Sequence, residues 1–208
     1  MKKVYKYGIA ALVGFFLLFN SVSIKSLDEV KRQKALASLD PAEFARDFWD
    51  DILLKNLNRT VDANALIAQL AENPEEARER FARQVGIGAY YAMISGEGNV
   101  VQADEDGVLL SIKAPESAGE ILIATDLIFG NAIRDASGLL DVNDFPSSTD
   151  FNSISVEINR IVVNEVIPLF KNLVAPGKTL AFVGASELTR AGLSGKPLQV
   201  IPIAVEIK

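Results

Sequence analysis

Asn131, Arg134, Asp135, Asp141, Asn143, Asp144 and Asp150 put seven hydrogen-bonding or charged side chains within twenty consecutive positions. A guanidinium among carboxylates and amides has the chemistry to hold sugar hydroxyls or dock a polar partner, and Asp and Asn oxygens suit calcium. The same residue types also have a structural use, because Asp and Asn make turns and helix caps and Arg134 can simply pair with a neighbouring Asp. The run lacks the fixed Gly and terminal Glu of an EF-hand loop, so no metal ligand is assigned in it. Trp49, Tyr90 and Tyr91 offer flat faces on which a sugar ring can stack. Trp49, however, falls beside the apolar face of Phe48 and Ile52, which makes core packing its better account. Adjacent tyrosines on a strand point to opposite faces, so at most one of Tyr90 and Tyr91 can face any one site.

Other chemistries are excluded by composition. The chain has no cysteine and no histidine, which removes disulfides, thiolate zinc sites, cysteine nucleophiles and the Ser-His-Asp arrangement. Glu165, Glu187 or the Asp cluster would support glycoside hydrolysis only as a pair of carboxyl groups ~5–9.5 Å apart, and nothing in their spacing supplies that pair. Gly86-x-Gly88 and Gly96-x-Gly98 neither follow a strand nor open a helix, so they read as turns and bends rather than nucleotide loops. No catalytic residue and no cofactor are assigned, and the chain does not read as an enzyme. A net charge of −6 and a pI near 4.8 argue against nucleic acid, whose phosphates need a basic surface.

Helices and strands must position the polar run. Asp40-Pro41-Ala42-Glu43 is a cap, a first-turn proline and a capping-box glutamate, and Phe44, Phe48, Ile52 and Leu53 follow at helical spacing, predicting a helix over 41–58. Asp62 caps a second helix with Leu66, Ile67 and Leu70 on one face, and Asn73-Pro74-Glu75-Glu76 starts a third. Residues 26–86 therefore read as a helical extension. From Gly86 the period becomes strand-like: 89–103, broken at Gly96 and Gly98, a turn at Asp104–Gly107, then 108–113 and 120–129. Residues 130–150 read as a long ordered loop, 151–167 as a helix, and 179–188 and 198–207 as the last two strands. Three strands, a helix and two strands is the order of an OB-fold, a five-stranded partly open barrel. The expected class is α+β, with the barrel over 87–208.

The N-terminus sets the compartment. Lys2, Lys3 and Lys6 precede the uncharged run from Gly8 to Ile24, and Ser21 and Ser23 sit where a signal peptidase reads small residues. The run also approaches the ~17–25 residues that cross a bilayer, so residues 1–25 read equally as a cleaved signal or an uncleaved anchor. Either way the expected location of the rest is periplasmic or otherwise extracytoplasmic.

Four stretches resemble a known family. They are the N-terminal helix ending in Ser26-Leu27-Asp28-Glu29, the segment Phe44 to Leu53 around Phe48-Trp49-Asp50, the block from Ile128 to Pro168, and FVGASEL at 182–188 with the closing QVIPIAVEI. Together they are similar to the bacterial predicted periplasmic lipoproteins called DUF2291. The resemblance implies an exported OB-like barrel of a kind often encoded beside sugar ABC transporter components, with no activity to carry over. On that basis, together with the signal segment, the first expectation is an accessory protein that contacts a sugar ABC permease or substrate-binding protein, with the 130–150 segment as the expected contact. The alternative is a module that itself captures a carbohydrate or calcium. With no cysteine to acylate, a lipid anchor is not available to this chain, and tethering is by an uncleaved helix or is absent.

Overall fold

The first described helix, α1 (Pro41–Asp47), begins where its cap signals place it: the Asp40 carboxylate accepts from the Ala42 amide at 2.8 Å, with Pro41 in the first turn. It runs on through a wide π turn, Phe48–Leu53, and a 3-10 turn, Leu54–Asn56. Phe48, Trp49 and Leu53 are buried in the core. The computed structural model describes residues 40–112, 120–190 and 192–208. The expected signal or anchor, and Ser26 to Glu29 with it, lie outside the described residues.

A two-residue strand, β1 (Val61–Asp62), follows, then α2 (Ala63–Glu72), capped by Asp62, and α3 (Pro74–Phe81), capped by Asn73. The expectation of an unbroken helical stretch to residue 85 needs correction. β1 pairs in parallel with Ile94 and Ser95, and β2 (Arg83–Val85) pairs antiparallel with Ala89, Tyr90 and Tyr91. Both short strands add to the long β3 (Ala89–Ala103), and pairing with a strand already in place decides their conformation.

β3 makes the barrel. From Tyr91 to Asn99 it pairs with β6 (Thr179–Glu187), and from Asn99 to Ala103 with β4 (Gly107–Ser111), so a single strand belongs to both sides. The turn into β4 is held by Asp104, whose carboxylate accepts from the amides of Asp106 and Gly107 at 3.0 and 3.2 Å. β4 pairs with β5 (Ile121–Ala124), β5 runs parallel to β7 (Leu198–Ile207), and β7 pairs with β6. The order β3-β4-β5-β7-β6 then returns to β3, closing five strands with no free barrel edge.

The connection between β5 and β6 carries the barrel's helix. Here the sequence expectation of a long ordered loop over 130–150 is corrected: the segment holds α4 (Ala132–Ser137), a 3-10 turn at Val142–Asp144 and the start of α5 (Ser148–Ile161). α5 begins three residues before the expected position because Ser147 caps it, accepting from the Asp150 amide at 3.1 Å and donating its hydroxyl to the Asp150 carboxylate at 2.7 Å. The helix continues through a π turn, Val162–Val166, into α6 (Ile167–Phe170), and this widening precedes Pro168, which cannot donate to a regular ladder. Leu39 to Lys208 form one compact unit. Phe48, Phe170, Ile94, Leu110 and Ile121 are sealed in one core, each contributing roughly 1.5–3 kcal/mol by burial.

The packing of α2 against β3 depends on Gly96. A Cβ there would stand 2.6 Å from the Ala63 Cβ and 3.2 Å from the Phe182 ring. Gly96→Ala is expected to cost about 1–3 kcal/mol in urea unfolding. Combined with Ala63→Gly, the loss should be smaller than the sum of the two single changes. Strict additivity would mean that this contact does not set the cost.

Candidate functional site

Two of the seven polar residues of the 131–150 run point inward. Arg134 and Asp135 in α4 are 4% and 8% exposed. Arg134 Nε donates to Asp135 Oδ1 at 2.8 Å, while Nη1 donates to the Phe151 carbonyl at 3.0 Å and to Asn152 Oδ1 at 3.1 Å. Its guanidinium also lies over the Phe151 ring, 3.7 Å from the centroid. The side chain is thus consumed by partners within the chain, and it clasps α4 to the first turns of α5. Of the two uses open to Arg134, the structure adopts pairing with its neighbour, for which burial is the physical reason: a ligand cannot reach a guanidinium closed over on every side.

The other five spread along the surface. Asp141 accepts from the amide and the side chain of Asn143, both at 2.8 Å, and caps the 3-10 turn that holds Asp144. Asp150 is engaged with Ser147. Among the described residues, no group of three or more acidic side chains is placed to hold a metal ion. Asn131 borders a cleft. Glu165 is taken by Arg46, which donates to it at 3.0 Å through Nη1, whereas Glu187 faces the cleft, so these two carboxylates do not share a site.

That cleft, of about 540 Å³, opens at one side of the barrel between the end of β6, the 188–197 loop, the start of β7 and the loop 127–132. Its wall carries Tyr91 and Glu187, directly paired across β3 and β6, with Asn131, Gln199 and Lys196 around them. Tyr90 points the other way and lines a separate hollow beside α3, as alternation along a strand requires. Burial pushes the Tyr91 phenol above the ordinary tyrosine value of 10.0, and the carboxylates of Glu187 and Asp135 add to the rise against the opposing pull of Arg134.

The rim is apolar. Leu127 and Phe129 are 73% and 72% exposed. Leu127 has φ of 50° and Gly130 φ of 84°, and a left-handed leucine costs about 1–2 kcal/mol. The loop keeps that shape because both ends are tied: Thr125 Oγ1 donates to the Glu105 carbonyl at 3.2 Å, and Asn159 Nδ2, from α5, donates to the Gly130 carbonyl at 2.9 Å. Sequence reading missed these residues by taking Leu127 to Phe129 as the end of a strand. The signal available was Gly130 directly after three large apolar residues, with Asp126 breaking the alternation before them.

A barrel of five strands closed in this order, with its helix between the third and fourth, defines an OB-fold protein. The crystal structure of an OB-fold protein from Thermotoga maritima is similar to it, at 30% identity and a TM-score of 0.75, over 82% of this chain and 99% of that one. The chain belongs to the DUF2291 family, described as predicted periplasmic lipoproteins, which matches residues 12–206. That membership supports a location outside the cytoplasm. No curated protein matches the chain. Among the described residues no helix is long and apolar enough to cross a membrane.

Two outcomes follow from this geometry. Arg134→Ala strands the buried Asp135 and should cost about 3–5 kcal/mol in chemical unfolding, whereas Asp141→Ala, which removes one exposed cap, should cost about 1 kcal/mol or less. Equal small losses would show that the clasp is not structural. Because the folded state holds the Tyr91 proton more tightly than the unfolded chain, its contribution is present below the ordinary tyrosine value and is lost as pH rises through the raised one. Stability measured above about pH 10 should therefore fall less steeply in Tyr91→Phe than in the parent; identical slopes would contradict the shift.

Proposed function

We propose that this protein is a non-enzymatic interaction module of a sugar ABC uptake system, working outside the cytoplasm and held at the membrane through its N-terminal segment. The observation that carries the docking part is the rim of the cleft. Two large apolar side chains, Leu127 and Phe129, are held out to solvent on a strained loop anchored at both ends. Strain of this kind persists only where surrounding contacts enforce it, and it concentrates at binding surfaces. Adjacent exposed apolar groups beside a polar cleft suit a partner protein better than solvent. The sugar-uptake part is supported by the family resemblance, which points to a permease or a substrate-binding protein as partner.

The cleft wall brings a phenol, one carboxylate, amides and one ammonium to the mouth, a set suited to recognition. A second reading, capture of a carbohydrate by the protein itself, is favoured by one feature: the volume of about 540 Å³ with Tyr91, Asn131 and Gln199 near the Phe129 ring matches a small-ligand pocket of ~300–1,000 Å³. Calcium capture finds less support, because the acidic residues of the 141–150 stretch are spread among caps and turns.

Affinity purification of the full-length protein from native membranes separates these readings. Transporter subunits should co-purify with the parent and be lost with Leu127→Ser/Phe129→Ser, whose stability should stay within about 0.5 kcal/mol per exposed site. Undiminished recovery with the folded double variant would overturn the docking reading. A saturable rise in Tm with a sugar, abolished by Tyr91→Ala, would favour direct capture instead.

A further inference from the structure

The second buried arginine is not satisfied as the first is. Arg78, on α3, is 7% exposed, and its Nε is buried with no hydrogen-bond partner. Among the described residues its one hydrogen bond runs from Nη1 to the Thr189 carbonyl at 3.1 Å, and its other contact is the Tyr90 ring, 5.5 Å from the centroid. No carboxylate of the described residues stands within ion-pair distance of it. Arg134, at similar depth, has a carboxylate, a carbonyl, an amide oxygen and an aromatic face. A cation taken out of water without a counter-charge is costly, and a buried donor left without an acceptor calls for a ligand or ion to complete it.

Arg78 lines a hollow of about 660 Å³, separate from the Tyr91 cleft, in which Arg190 stands on the facing loop. Asn73 and Gln84 contribute amides, Tyr90 and Ile87 apolar surface, and Glu75 the one carboxylate on the lining. Ile87 is fully exposed at the mouth. The start of α3 is already served, since the Asn73 side chain accepts from the amides of Glu75 and Glu76, so the missing partner is one for the guanidinium itself. We infer that this hollow binds a small molecule through an oxyanion group, carboxylate or phosphate, gripped between Arg78 and Arg190. Guanidinium matches either group through paired N–H donors, and the partly buried setting strengthens the bond. The Tyr90 face and Ile87 would cover the apolar remainder of such a ligand.

The test uses the full-length protein and follows Tm and calorimetric binding with inorganic phosphate, with acetate, and with chloride at matched ionic strength. Phosphate or acetate should give a saturable rise in Tm at millimolar concentration that chloride does not give, and the stronger of the two identifies the oxyanion. Arg190→Gln, a change at an exposed residue, should weaken that binding about tenfold or more while leaving the unliganded Tm unchanged. Arg78→Lys keeps the charge but loses the paired donors and should weaken it as well. No saturable response to either anion, or the same affinity in folded Arg190→Gln, would overturn the assignment.

Discussion

Closure of the barrel through β3 is the constraint on which the rest of this molecule depends. One strand of fifteen residues must pair with β6 along its first half and with β4 along its second. Its register with β6 runs unbroken past Gly96, where the lack of a Cβ leaves room for Ala63 of α2, and its register with β4 shifts between Val100 and Gln102. β1 and β2 find their partner on its N-terminal half, and the end of β6 lies against Tyr91. The cleft wall is therefore a product of the closure rather than an addition to it.

The second requirement is to hold the β5–β6 connection against the barrel. α4 is too short to be stable alone. It is fastened by Arg134, which binds a carboxylate beside it and the first turns of α5 in front of it. α5 in turn reaches back through Asn159 to Gly130 and sets the loop that displays Leu127 and Phe129. A buried polar clasp thus stands behind an exposed apolar rim, and the polarity of this region is spent on positioning. The aromatic chain Phe44, Phe145 and Phe151, with centroids 5.4 and 5.1 Å apart, joins α1 to the same assembly.

Helix starts were legible because Asp40, Asp62 and Asn73 cap with side chains whose chemistry is local, and the barrel order was legible because strand and helix periods differ. β1 and β2 were not, since both owe their form to a strand distant in sequence. α4 was hidden by its length and by having only Ala132, Ile133 and Ala136 as apolar markers. The polar run at 131–150 was visible as a run, but composition does not distinguish an arginine that faces a ligand from one that faces a core. Arg134 and Asp135 therefore looked the same as Asp141 and Asn143. Burial depends on the three-dimensional neighbours, and so did the rim at Leu127 and Phe129 and the unpaired guanidinium of Arg78.

The fold and the family make this an extracytoplasmic OB barrel. The proposed function turns on contact between Phe129 and a transporter component. The most direct measurement places a photo-crosslinking side chain at position 129 of the full-length protein in its native membranes, with another at Leu173, an equally exposed site on the turn after α6. The account predicts an adduct with a permease or substrate-binding subunit from position 129 and none from position 173. Adducts of equal yield from both positions, or none from 129, would contradict it.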